Sequence, residues 1–356
     1  MVLTIFVGLN INGSRSWIKV AGGFNLQPVE LCKIFTSLAI AKYFSKNEKS
    51  GSRKSGKFWV ALFIIIIPLS IGILQHELGQ AIIYFSMIFA LYREGLPSSI
   101  LIGSIYIIIL VLASLLINPN TLVIIIISVA AIIFIYQYKR IKKEKKIGWL
   151  IGIAMVISIG FQRFAVPYIF NNLFECYQST RVYNLFGKSY DCSQNKKTIN
   201  APNKISNRKP DDNYNVKQSI ITIGSGGLIG KGMFKSTQTK GKYVPEQNTD
   251  FIFTSIGEAF GFIGCLIFIL VYLVFLLNIG LIAERQRSTY ARVYGYCVLG
   301  FFFLQFAINI NMTLGLFPVV GITLPFISYG GASFLTFTIM LFILLKLDID
   351  KQKVFT

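Results

Sequence analysis

Asp250 ends a polar stretch, Tyr243-Val-Pro-Glu-Gln-Asn-Thr-Asp250, and Phe251-Ile-Phe253 then opens an apolar run. An ionisable group at such a boundary is costly beside hydrocarbon, and groups placed there are functional candidates by default. The chemistry it could do is proton transfer on a substrate whose lipid tether holds it at the interface. Glu246 and Glu258 are the nearest acids in sequence. They are fewer than a glycosidase-like carboxylate arrangement would ask for. The competing reading is structural: Asp250, or Thr249 beside it, would N-cap the helix that follows. Residue types alone leave the two open.

Glu30 and Lys33 stand three residues apart, so on a helix they share a face and neutralise one another. In lipid that pairing is close to obligatory unless both line a wet cavity. A buried strut and a place on a substrate path are equally open. The glycine-rich stretch Gly224-Ser-Gly-Gly-Leu-Ile-Gly-Lys231-Gly resembles a phosphate loop only at first glance. Its spacing fails, and Gly232 stands where a magnesium-binding Ser or Thr would be needed. A tight glycine-dependent loop is the better expectation. His76 is the sole histidine, so a zinc site has no second histidine to draw on. Cys176 and Cys192 could pair in an oxidising compartment, whereas Cys32, Cys265 and Cys297 fall in apolar runs and read as packing residues.

The elements that must position these residues are set by hydropathy. The chain has 356 residues, 54% of them hydrophobic, and its mean hydropathy is +0.61. Runs such as Phe58-Trp-Val-Ala-Leu-Phe-Ile-Ile-Ile-Ile can span a bilayer, and continuous runs exclude a barrel of alternating strands. The expected fold is an all-α polytopic integral membrane protein. The net charge of +20 sits in short breaks between apolar runs: Lys46 to Lys57, Lys139 to Lys146, and Arg285 to Arg292. Those breaks read as positive-inside anchors, not as a nucleic-acid surface.

Threading the chain through the anchors predicts about nine full spans plus an N-terminal helix stump, Met1 to Ile11. The spans are Leu26–Phe44, Phe58–Leu74, Gln80–Leu91, Ser99–Ile117, Thr121–Tyr138, Ile147–Phe170, Phe251–Ile282, Val293–Ile310 and Ser333–Leu345. Residues 171–250 then form one long exported loop within a single membrane domain, 1–356. Ser189 to Asn215 is its most polar part and is expected to be a mobile excursion. The first residues lack a basic leader and a small-residue cleavage site, so no cleavable signal is predicted.

Several blocks carry a family resemblance. Asn12-Gly-Ser-Arg-Ser-Trp-Ile18, Leu26-Gln-Pro-Val-Glu-Leu-Cys-Lys33 and Leu324-Pro-Phe-Ile-Ser-Tyr-Gly-Gly331 are three of them. Gln218 to Gly227, Gly230-Lys-Gly232, Thr237-Gln-Thr239 and Pro245 to Phe253 agree with them. Together they resemble the SEDS family (shape, elongation, division and sporulation), and within it the rod-shape-determining RodA type more than the division type. The resemblance runs along nearly the whole chain in order.

It implies a peptidoglycan glycosyltransferase of the bacterial inner (cytoplasmic) membrane. Such a protein polymerises undecaprenyl-diphosphate-linked lipid II during elongation and rod-shape maintenance, beside a class B penicillin-binding protein and the elongation machinery. By the same resemblance Asp250 matches the essential loop carboxylate, Trp17 a sensitive position, and Glu30 with Lys33 a charged pair. Pro325, Ser328, Tyr329, Gly330 and Gly331 would shape a break at the mouth of the last helix. The chemistry is consistent: a carboxylate that accepts the proton of an attacking sugar hydroxyl contributes roughly 10²–10⁴-fold. The diphosphate leaving group calls for positive charge or a divalent cation, magnesium or manganese, with no organic cofactor. Arg15, Lys33, Arg181, Lys217 and Lys231 are the cations that can face the exported side, and Arg15, beside Trp17, is preferred. Trp17 could equally be an interfacial belt aromatic.

The sequence departs from the family at the N-terminus, where further complete helices normally precede the Asn-Gly block. A late start codon or a truncation is the expectation. Ser99 to Tyr138 reads as an extra helical hairpin, His76-Glu77 replaces a usual Pro-Asp, and Asn248, Asn311 and Thr323 replace common His, Gly and Pro. The alternatives to a polymerase are a flippase for the lipid-linked precursor, with Glu30 and Lys33 in its path, and a non-catalytic scaffold for the synthase.

Overall fold

The computed structural model describes residues 1, 4, 8–11, 14–19, 25–49, 56–75, 77–143, 145–173, 179–180, 182–183 and 212–353. His76, Cys176, Arg181, Cys192 and most of the expected excursion lie outside the described residues. So does the side chain of Arg15, whose backbone is placed in a strand.

Each apolar run expected to span is helical. In chain order the first helices are α1 (Pro28–Lys49), α2 (Gly56–Leu74) and α3 (Leu78–Arg93, with a 3-10 turn at Tyr84–Ser86). Next come α4 (Ser98–Leu116), α5 (Pro119–Tyr136), the short α6 (Tyr138–Lys143) and α7 (Lys145–Gly160). The remainder are α8 (Asp212–Ser225), α9 (Ile252–Glu284), α10 (Thr289–Thr313) and α11 (Gly331–Lys353). Pro28 and Pro119 occupy first turns, where a missing N–H costs nothing and the fixed φ favours helix entry. Among the described residues five helices are long and apolar enough to cross a membrane, and α2, α3 and the first part of α4 are shorter apolar helices. With α1, these account for the expected spans.

Two features were not foreseen. Among the described N-terminal residues Gly8 N–H donates to the Thr4 carbonyl at 2.9 Å, and strand follows. Strands β1 (Leu9–Ile11), β2 (Ser14–Lys19) and β3 (Asn25–Leu26) form a small antiparallel sheet in that order. The helix stump therefore gives way to strand by Leu9. The second feature is α8, a helix inside the long loop. It is docked by Ser219 Oγ, which donates to the Thr313 carbonyl at the end of α10 (2.6 Å).

The chain forms two compact units. In the first, Met1–Pro97 with Tyr214–Thr356, α10 is the central helix: 72% of its apolar window is buried, against 22% for α9. Phe301 and Phe302 are fully buried, the first edge-on to Tyr84 (5.7 Å) and the second against Phe337 (4.7 Å). At the basic end, carboxylates tie helices together. Arg292 grips Glu94 with two bonds (2.8 and 3.0 Å), Arg93 pairs with Glu284, and Arg285 and Gln286 both donate to Asp348. Two of the expected positive-inside anchors, Arg285 and Arg292, are thus also interhelical links.

The second unit, Ser98–Asn213, holds the hairpin α4–α5 together with α6 and α7. The Tyr106 and Ser158 hydroxyls meet at 2.9 Å, and Gln162 donates to the Pro119 carbonyl at 3.0 Å. Beyond α7 the chain widens into π-helical turns at Phe161–Ala165 and Ile169–Leu173, where Val166 and Phe170 pack on Val111, Val182 and Tyr183.

Candidate functional site: the Asp250 loop and its supports

Asp250 is the second residue before α9, and its side chain is half-buried. The N-cap position of α9 belongs to Phe251, and no side-chain hydrogen bond caps it. Thr249 Oγ1 turns the other way, to the Glu246 carbonyl (3.2 Å). The N-cap position itself is therefore neither Asp250 nor Thr249. The turn is closed instead by the Glu246 carbonyl, which also accepts the N–H groups of Thr249 (3.1 Å) and Phe251 (3.3 Å). Glu246 adopts φ 56° to do so, a left-handed conformation that a non-glycine residue takes only when its surroundings impose it.

Three contacts hold this turn from outside. Asn309 of α10, itself fully buried, donates its side-chain amide to the Asp250 carbonyl (2.8 Å) and to the Ile322 carbonyl (2.6 Å). Ser328 Oγ donates to the Thr249 carbonyl and accepts the Leu324 N–H at 2.8 Å. The Tyr329 N–H donates to the Asn248 carbonyl at 2.9 Å. The Pro325–Gly331 motif is thus brought directly against the Asp250 loop. Since Asn248 contributes its backbone there, its departure from the family's histidine leaves this contact intact.

The motif itself is strained and anchored. Phe326 has φ 66°, and its ring is set among Phe302 (5.4 Å), Phe275 (6.1 Å) and Phe334 (5.9 Å). Tyr329, by contrast, is 80% exposed. A methyl group on Gly321 would lie 3.5 Å from Asp250 Oδ2, so the carboxylate rests against the backbone of that segment. Beneath it, Val244, Phe251, Met312 and Val319 form a buried apolar cluster.

The glycine motif packs backbone to backbone on the first part of α9. A Cβ on Gly226 would come within 2.1 Å of the Gly257 carbonyl oxygen, and one on Gly230 within 2.3 Å of that of Ala259. The N–H groups of Lys231 and Gly232 donate to the carbonyls of Glu258 (3.0 Å) and Ala259 (2.9 Å). Beyond them Phe262 and Ile263 return bonds to Gly227 and Leu228. These exchanges need a break in α9, and Gly261 supplies it at φ 66°, ψ −163°.

Lys231, expected near a diphosphate, spends its ammonium on protein: Ser225 Oγ (2.9 Å), Thr237 Oγ1 (3.1 Å) and Glu258 Oε1 (3.3 Å). Glu258 is the residue whose importance the sequence did not reveal. It is fully buried and gathers the Thr237–Thr239 segment around its carboxylate.

Glu30 and Lys33 form the expected pair at 2.8 Å, both side chains fully buried, with the Phe337 ring 5.5 Å from the ammonium. Both residues lie on α1, and the Lys33 ammonium faces the Phe337 ring of α11. Trp17 lies on β2 opposite Leu9, half-buried, on a different element from Asp250. Its neighbour Ser16 donates to Glu77 Oε1 at 2.6 Å, so Glu77 secures the strand. Lys217 is exposed on α8. Among the described residues no group of three or more His, Cys, Asp or Glu side chains converges as a metal cage.

Comparison with known proteins fits this arrangement. The model of the FtsW/RodA/SpoVE family, described as cell cycle proteins, matches residues 1–150 and 118–353. A peptidoglycan glycosyltransferase RodA of Treponema pallidum (strain Nichols) is 27% identical, across 98% of this chain and 80% of that protein. The peptidoglycan glycosyltransferase MrdB of Escherichia coli (strain K12) is 28% identical, across 90% of this chain and 67% of its own length. A chain from a solved peptidoglycan synthase complex, reported for its coordination of polymerization and crosslinking, has the same fold. Its TM-score is 0.61 at 19% identity, covering 98% of this chain and 77% of that one. The chain belongs to the FtsW/RodA/SpoVE family of cell cycle proteins.

Proposed function

We propose that the chain is a peptidoglycan glycosyltransferase that polymerises lipid II at the outer face of the bacterial cytoplasmic membrane, with Asp250 as the general base. The observation that carries this reading is the support around Asp250. Asn309, Ser328 and Tyr329 fix three consecutive carbonyls, at residues 248, 249 and 250. A carboxylate carried on so firmly held a stretch of backbone suits proton transfer. The names of the relatives point to the same reaction.

In this reading Asp250 accepts the proton of the acceptor sugar hydroxyl as that oxygen attacks the anomeric carbon of the donor. The glycosidic bond forms as the bond to the lipid diphosphate breaks, and the diphosphate leaves with the electron pair. With Lys231 committed to Glu258 and Lys33 to Glu30, Arg15, Arg181 and Lys217 remain from the expected cations for the leaving group. A magnesium or manganese ion, if used, would be carried by the diphosphate itself and would add positive charge at the leaving group. Crosslinking falls to a class B penicillin-binding protein partner, which the likeness to a synthase-complex chain supports.

The enclosed Glu30–Lys33 pair disfavours a translocation path. Purified full-length protein in proteoliposomes with fluorescent lipid II separates the readings. Glycan chains support the polymerase. Precursor moved across the bilayer without polymer would make it a flippase, and neither product would leave the scaffold role.

A further inference from the structure

Glu258 lies eight residues beyond Asp250 and is fully buried near the start of α9. Its Oε1 accepts the N–H groups of Thr237 (2.8 Å) and Gln238 (2.9 Å), with Thr237 Oγ1 and Lys231 Nζ each at 3.3 Å. Its Oε2 accepts the N–H (2.8 Å) and Oγ1 (2.6 Å) of Thr239. A buried carboxylate is costly unless donors surround it, and here one tripeptide supplies nearly all of them. The arrangement is directional: the three N–H groups converge on Glu258, which leaves the Thr239 carbonyl pointing onward.

That carbonyl accepts Gln247 Nε2 at 2.9 Å, and Gln247 is three residues before Asp250. The segment from Lys231 to Thr249 is therefore fastened to α9 at both ends. One end is held by Glu258, and the other continues through Asp250 into the helix. Between the two, Tyr243 N–H returns to the Gln238 carbonyl (3.3 Å) and Val244 is buried under Phe251. Lys242 adopts φ 51°, the left-handed conformation of a chain bent back on itself.

We propose that Glu258 is a positioning residue for Asp250, acting through Thr239 and Gln247 to set the approach of the loop that carries the carboxylate. The proposal rests on the polymerase reading for its effect on rate, but the clamp itself does not. Glu258→Gln replaces an acceptor oxygen by a donor facing N–H groups, Glu258→Asp keeps the charge but draws it back, and Gln247→Ala cuts the relay downstream.

Two measurements on the full-length protein in nanodiscs test it. Hydrogen–deuterium exchange should show the 237–239 amides slow in the native chain and in Gln247→Ala, much faster in Glu258→Gln, and intermediate in Glu258→Asp. In lipid II polymerisation, Glu258→Gln and Gln247→Ala should each lower kcat with KM little changed, by up to about a hundredfold, as an ångström-scale misplacement does. Their double variant should be no slower than the worse single one, and Glu258→Asp should recover part of the rate. Unchanged exchange at 237–239 in Glu258→Gln would overturn the clamp. Additive losses in kcat, or a Glu258→Gln protein that turns over normally per folded molecule, would overturn the positioning role. If the native chain makes no polymer, the polymerase reading fails, while the exchange data still decide the clamp.

Discussion

Asn309 donates its side-chain amide to the backbone carbonyl of Asp250 at 2.8 Å across 59 residues of sequence, and the same nitrogen holds the Ile322 carbonyl at 2.6 Å. One buried side chain on the central helix α10 therefore joins the loop that carries the carboxylate to the segment against which that carboxylate rests. Position in space, fixed from α10, defines this site more than any local motif does.

Asn309→Ala should abandon both carbonyls. Each unsatisfied buried carbonyl costs about 1–3 kcal/mol, so the melting temperature in detergent should fall and polymerisation should fall further than stability explains. Asn309→Asp should do no better, because an ionised carboxylate offers no donor to either carbonyl. Thermal unfolding and product chain yield, measured on the same preparations, check both.

The glycine motif separates into positions that matter and positions that do not. Gly226→Ala would drive a methyl into the Gly257 carbonyl at 2.1 Å, whereas a Cβ on Gly224 meets nothing within 4 Å. Gly226→Ala should therefore sharply reduce folded yield. Gly224→Ala should be near neutral, helped by the better helix propensity of alanine by about 1 kcal/mol at most. Gly261→Ala should fail for two reasons, its φ of +66° and a Cβ 2.4 Å from the Gly230 nitrogen. Expression monitored by size-exclusion chromatography is sufficient to rank the three.

The Glu30–Lys33 pair should behave as an enclosed strut. Glu30→Gln or Lys33→Met alone leaves one charge buried without its partner, which costs roughly 3–5 kcal/mol. The double change Glu30→Met with Lys33→Met removes both charges and should recover much of the lost folded protein. Thermal stability of the two single variants and the double variant checks this directly.

Much of the architecture was legible because it rests on one-dimensional physics. Continuous apolar runs must be helices in a bilayer, and Glu30 with Lys33 three apart must meet on a helix. Asp250 was legible as a carboxylate at a membrane edge. Its supports were not, since Asn309, Ser328 and Tyr329 reach it only through tertiary folding. Glu258 read only as an acid near Asp250 in sequence because its partners lie about twenty residues upstream. Lys231 read as a cation for substrate because the sequence cannot show that Glu258 lies beside it. The strands at Leu9–Ile11 and Ser14–Lys19 escaped because each is too short for its periodicity to separate strand from helix.

The most direct test of the account is the Asp250→Asn variant of the full-length protein, assayed with lipid II beside the native chain. The substitution keeps the side chain's shape and leaves the three supported carbonyls in place, so folding and thermal stability should match the native protein. Glycan synthesis should fall by about 10²–10⁴-fold, the usual worth of a positioned base. Polymerisation by Asp250→Asn at the native rate would contradict the account.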